Sequence, residues 1–111
     1  MTVDVKSLRS VTVVSLDGEL DGKSAPEVQE KVLPLVEPGG KILLDMSKVP
    51  YMSSAGLRML LSIYRQVTGK KGGIVLAGVA EEIRDTMSVT GFLKFFLIHG
   101  TVEEGVKALE G

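Results

Sequence analysis

The chain begins with alternating apolar and polar positions. Between Val3 and Leu20, residues Val11, Val13 and Ser15 fall on one side of an extended chain and Thr12, Val14 and Leu16 on the other, with a break near Arg9 and Ser10. Two strands joined as a hairpin are the economical reading. From Ser24 to Val36 the spacing changes, and Val28, Val32, Leu35 and Val36 form a helical stripe. Ser24 followed by Glu27 has the Ser-x-x-Glu form of a capping box, so this helix is expected to start near Ser24. Pro34 lacks an amide hydrogen and is expected to kink or end it before Pro38-Gly39-Gly40.

Lys41 to Met46 is short, apolar and bounded by glycine, as suits a strand buried on both faces. A second helix is expected from about Ser54 to Thr68, with Leu57, Leu60, Leu61, Tyr64 and Val67 on its apolar side and Gly69 as its C-cap. Gly73 to Val79 reads as another buried strand. Ala80, Ile83 and Met87 mark a third helix and Phe95 to Ile98 a last strand. Val102, Val106 and Leu109 mark a final helix, capped by Thr101 with Glu104. The order is β-β-α-β-α-β-α-β-α, an α/β domain in which each strand after the hairpin is joined to the next by a helix. Such connections demand mostly parallel pairing, and right-handed crossovers place the helices largely on one face of the sheet. What covers the other face is left open by the pattern.

Composition narrows the classes of function. The 111 residues, 44% apolar and 24% charged, suit one soluble globular domain spanning residues 1–111. No apolar run reaches the roughly 18 residues that span a bilayer, and Met1-Thr2-Val3-Asp4 does not resemble a signal peptide, so a cytoplasmic location is expected. The absence of cysteine removes disulfides, thiolate metal sites and cysteine nucleophiles. The single histidine, His99, has no second imidazole with which to share a metal and reads as a surface or strand-end residue. A net charge of −1 offers no broad cationic field for nucleic acid, and Lys70 with Lys71 reads as a solvated loop.

The informative stretch is Asp45 to Leu61, where a strand ends, a loop turns, and Ser53 and Ser54 stand where a helix begins. Unpaired amides and the helix dipole make such a position a ready place for an anion, so a phosphate on Ser54 would be held there. Gly56 removes a Cβ from the first turn and allows another backbone or an incoming protein to approach the serine. Position alone favours two serines that merely cap the helix and would not reveal a function.

Three segments carry a resemblance: Gly18-Glu19-Leu20-Asp21, then Val49-Pro50-Tyr51-Met52-Ser53-Ser54-Ala55-Gly56-Leu57, then Met87-Ser88-Val89-Thr90-Gly91-Phe92. Together, in this element order, they resemble the anti-sigma factor antagonist (STAS) family over nearly the whole chain. The resemblance implies a binding switch rather than an enzyme, with no cofactor, no metal and no catalytic residue. It implies that Ser54 is phosphorylated by an anti-sigma factor that is itself a serine kinase. The unmodified antagonist would bind that factor and free a sigma factor; phosphorylation would release it, and a metal-dependent serine phosphatase would reset the cycle. It also implies a partner face around Asp21, Ser53, Ser54, Ala55, Gly56 and Leu57. Many phosphorylated members carry an aspartate just before the modified serine; Ser53 stands there here, which makes Ser53 the second choice for the modified residue.

Other groupings are less specific. Asp17, Glu19 and Asp21 alternate along one edge, but a calcium loop needs a glutamate at its twelfth position, and Val28 stands there. Gly69-Lys70-Lys71-Gly72-Gly73 follows a helix rather than preceding one and reads as a turn, not a phosphate cradle. Phe92, Phe95 and Phe96 lack the basic residues of a base-stacking platform and read as core and strand. Two alternative functions remain beside the switch: a STAS accessory subunit of a lipid or anion transport system without a phosphorylation cycle, and a nucleotide-binding α/β module. The second lacks a base, a metal set and a phosphate loop. Neither nucleic acid nor membrane is expected as a partner.

Overall fold

In the computed structural model, which describes residues 1–110, the break at Arg9 and Ser10 is a tight reversal with Arg9 at φ 59°. It joins β1 (Thr2–Leu8) to β2 (Val11–Asp17) as an antiparallel pair. There follow α1 (Ser24–Val32), a 3₁₀ turn at Leu33–Leu35, β3 (Lys41–Lys48), α2 (Ser54–Gly69), β4 (Gly73–Ala77) and α3 (Glu81–Val89). A second 3₁₀ turn at Phe92–Phe95, β5 (Leu97–His99) and α4 (Val102–Glu110) complete the order. The strands lie side by side in chain order, β1-β2-β3-β4-β5, parallel from β2 onward. Pro34 ends α1 as expected, because the helical bond its missing amide would make is replaced by the tighter turn.

Alternation along the strands sorts their side chains onto two faces. Val14, Leu16, Ile42, Leu44, Ile74 and Leu76 meet α1, α2 and α3 in the larger core. Val11, Val13, Leu43, Val75 and Ala77 meet Val106 of α4 in a smaller one. The crossover rule constrains only helices that lie between paired strands. Because α4 follows the last strand it is free to fold onto the bare side, and it does so, with Gly105 set so close that a Cβ would meet Leu43.

Several boundaries differ from expectation for local reasons. The last strand is Leu97–His99, and Phe95 belongs to the preceding 3₁₀ turn, where it is 38% exposed and only Phe96 of the three phenylalanines is buried. The α2 stripe is rotated: Met59 and Ile63 are buried with Leu57, Leu60 and Val67, whereas Leu61 and Tyr64 are half-buried. Gly69 is not the cap. The helix runs through it and closes with a double bond pattern, Gly72 N to Val67 O (2.9 Å) and Lys71 N to Thr68 O (3.0 Å), which puts Lys71 in the left-handed conformation at φ 60°. Glycine is needed one residue later, since a Cβ on Gly72 would overlap the carbonyl oxygen of Gly40, to which Gly73 N donates (2.9 Å).

Adjacent substitutions should therefore act in opposite directions. Lys71→Gly relieves a left-handed residue and should raise stability by up to about 1 kcal/mol. Gly72→Ala forces two backbone segments apart and should lower it by about 1–3 kcal/mol, a fall of roughly 4–8 °C in Tm per kcal/mol. Thermal melting of both variants checks the pair of signs.

Candidate functional site

Two loops distant in sequence are joined through their backbones at the C-terminal end of the strands. Gly18 N donates to Lys48 O (3.1 Å), Leu20 N to Tyr51 O (2.9 Å) and Ser53 N to Leu20 O (2.8 Å), with Leu20 and Met52 forming an isolated parallel bridge. Leu20 and Met52 are both buried and anchor the junction in the core. The result places the start of α1 beside the start of α2, and with it Asp21 beside Ser53 and Ser54.

At the first of these helix starts, Asp21 is the true cap. Its Oδ1 accepts from Lys23 N (2.9 Å) and Ser24 N (3.0 Å), its carbonyl accepts from Ala25 N (2.9 Å), and its own amide donates to Ser24 Oγ (3.0 Å). That is a reciprocal capping box formed by Asp21 with Ser24, in place of the one expected from Ser24 with Glu27. Ser24 is 7% exposed and also donates to Glu19 O (2.6 Å), so a buried hydroxyl is fully used. The amides of Ser24 and Lys23 hold the Asp21 carboxyl below the ordinary aspartate range, with the Ser24 hydroxyl and the Lys23 charge adding to them against a smaller opposing effect of desolvation.

At the second start, the roles of the two serines separate. Ser53 is the N-cap (φ −84°, ψ 176°), its Oγ accepting a long bond from Gly56 N (3.4 Å) while its carbonyl takes Leu57 N (3.1 Å). Ser54 is the first residue of the helix, exposed, and its hydroxyl has no bond among the described residues. Ala55 beside it is half-buried, as are Asp21 and Ser53. Gly56 and Leu57 turn inward instead. A Cβ on Gly56 would stand 2.6 Å from Met52 Cγ and 3.2 Å from Leu20 O, so its bareness serves the internal approach of these two loops. The presented surface is thus Asp21, Ser53, Ser54 and Ala55, with Gly56 and Leu57 seating it from beneath.

Two residues beside this surface had no role assigned to them from the sequence. Tyr51, 52% exposed, stands over a shallow groove of about 200 Å³ between the β3–α2 loop and Glu82, Ile83 and Thr86 of α3. Arg58, exposed, borders a second groove of about 210 Å³ between α1 and α2. An aromatic next to proline in a loop and an arginine four residues after the serine were the available signals. No group of three or more metal-ligating side chains occurs among the described residues, and Asp17, Glu19 and Asp21 do not converge.

The separated roles predict separated effects. Ser53→Ala should lose about 0.5–1 kcal/mol of stability, because it removes the cap, while Ser54→Ala should be near neutral in a melt. For Asp21, a folded-state pKa below the unfolded one means stability that is complete above the unfolded value of about 3.9 and lost as the pH falls through the folded one. Asp21→Asn should therefore melt earlier than the parent at neutral pH, with the gap closing below about pH 4; melts across pH 2–7 test the closure.

The model of the STAS domain matches residues 2–105. The anti-sigma-B factor antagonist of Bacillus subtilis is 31% identical over 107 residues, covering 96% of this chain and 98% of its own. The crystal structure of an anti-sigma factor antagonist from Mycobacterium paratuberculosis superposes with a TM-score of 0.84 at 28% identity, covering 99% of this chain and 94% of the other. The Bacillus cell fate determinant SpoIIAA, 20% identical, shares the fold in its unphosphorylated form (TM-score 0.81, covering 99% and 97% of the two chains) and its phosphorylated form (0.73, covering 96% and 98%). With a match to nearly its full length, and with the hairpin, the parallel sheet and the joined loops all in place, the chain belongs to the STAS domain family.

Proposed function

We infer that the chain is an anti-sigma factor antagonist, a binding module without enzymatic activity that works in the cytoplasm and is switched by phosphorylation at Ser54. The observation that carries this is the exposed, unbonded hydroxyl of Ser54 at the first position of α2, next to a cap already supplied by Ser53. A residue needed for neither packing nor capping can be modified without disturbing the fold. The partner is an anti-sigma factor serine kinase, bound by the surface at Asp21, Ser53, Ser54 and Ala55, and a metal-dependent serine phosphatase restores the unmodified form. The near full-length likeness to an antagonist from Bacillus subtilis supports the assignment.

Two opposed effects set the mechanism. Within the domain, a phosphate of charge about −2 meets the positive end of α2 and should stabilise the helix by roughly 0.3–2 kcal/mol. At the interface the same group adds bulk and charge beside Asp21, where like-charge or mismatched contacts cost several kcal/mol. The interface effect is the larger, so phosphorylation releases the partner and leaves the fold intact.

Incubation with the partner kinase and ATP followed by site mapping should find the phosphate on Ser54; modification confined to Ser53, or none with an active kinase, would sink the assignment. Ser54→Ala should bind the partner as the unmodified chain does. Phosphorylation should weaken that binding by about a hundredfold, at 1.4 kcal/mol per factor of ten, with no fall in Tm. A phosphorylated form that melts much earlier, or a titration showing undiminished affinity, contradicts the mechanism.

A further inference from the structure

We propose that Arg58 grips the phosphate on Ser54 and is thereby withdrawn from the surface offered to the partner, an inference that rests on Ser54 being the modified residue. Ser54 opens α2 and Arg58 stands four residues on, both exposed. Residues at that spacing share a helix face, with Cβ atoms about 5–6 Å apart. Helical side chains lean toward the N-terminus, so Arg58 covers the turn that Ser54 begins. An anion placed before a cation in this order is the favourable arrangement, and the planar guanidinium matches phosphate oxygens with paired donors.

Arg58 is uncommitted in the unmodified form. Among the described residues the ion pair that forms joins Arg9 to Glu110, no side-chain hydrogen bond engages Arg58, and α2 contains no aspartate or glutamate to compete for it. The other charged groups around the serine are placed differently. Asp21 spends its Oδ1 on the amides of Lys23 and Ser24, Lys23 belongs to the exposed loop that opens α1, and Glu82 lies across the groove beyond Tyr51 and Met52. Farther along α2, Arg65 is about two turns from Arg58 and out of reach of the serine.

Arg58 also borders the groove between α1 and α2, with Ala25, Gln29 and Ala55. In the unmodified chain that groove ends in a free cation; in the phosphorylated chain the cation is neutralised from within. Phosphorylation then changes the docking surface twice, by adding the bulk and net negative charge of the phosphate at Ser54 and by holding Arg58 against it.

The test uses the full chain with phosphoserine installed at position 54 during translation, so that no kinase is involved. A nearby cation favours the dianion and lowers the phosphate's second pKa. Phosphorus NMR titration should place that ionisation a few tenths of a pH unit lower in the parent than in Arg58→Gln. Arg58→Lys should recover part of the shift, and Arg65→Gln, on the same helix, should leave it as in the parent. Superimposable titrations of the parent and Arg58→Gln would overturn the proposal, as would an equal effect of Arg65→Gln. Failure of the switch itself shows elsewhere: a kinase that leaves Ser54 unmodified removes that reading while the titration keeps its own result.

Discussion

Backbone hydrogen bonds between residues 18–20 and residues 48–53 hold the site together, and most of what the surface presents follows from them. Parallel neighbours β2 and β3 deliver both loops to the same end of the sheet, and the bridge between Leu20 and Met52 extends their pairing past the strands themselves. Peptide groups tied to one another in a partly dry junction leave little freedom for either loop. Gly56 completes the constraint, because any side chain there would strike Leu20 and Met52. The start of α2 therefore has a fixed position relative to Asp21 before any partner arrives.

A rigid platform suits a switch that works by changing surface chemistry. Ser53 performs the structural task of capping and Ser54 is left without one, so the residue proposed to carry the signal is not a residue on which the helix depends. The division also explains why serine can stand where many relatives of the phosphorylated kind have aspartate: either residue supplies the oxygen that a cap requires. The hydroxyl does so without placing a second negative charge next to a phosphate.

Periodicity carried most of the architecture. The hairpin, the buried strands and the helices of the sheet's covered face are written in spacings of two and of three to four, and the order of elements forces parallel pairing from β2 onward. The misplaced details share a cause: they depend on which of several nearby groups wins a local competition. Ser24 looked like a cap because glutamate follows three residues later, yet Asp21 lies three residues earlier and caps the helix sooner, taking the amides of Lys23 and of Ser24 itself with a charged oxygen. Gly69 looked like a helix end, but the close approach of Gly72 to Gly40 decides where the chain must turn. The side on which α4 packs follows from no spacing, since nothing downstream obliges it to cross. At the site, the serines and Asp21 were legible through the resemblance, whereas the inward setting of Gly56 and Leu57 emerges only when Leu20 and Met52 are brought against them.

The outermost position of β1 bears on how the molecule behaves in a crowd of its own kind. Six of its seven residues are exposed, Val5 and Leu8 among them, and one whole row of its peptide groups has no neighbouring strand. Such an edge is a template for edge-to-edge stacking into aggregates. The far edge offers much less, because β5 is three residues long. Asp4 and Lys6 project from the same face of β1, opposite Ser15 and Val13. Charged side chains on an edge strand, lysine above all, are a common means by which folded chains discourage such pairing, and Asp4 and Lys6 are the charges that β1 carries.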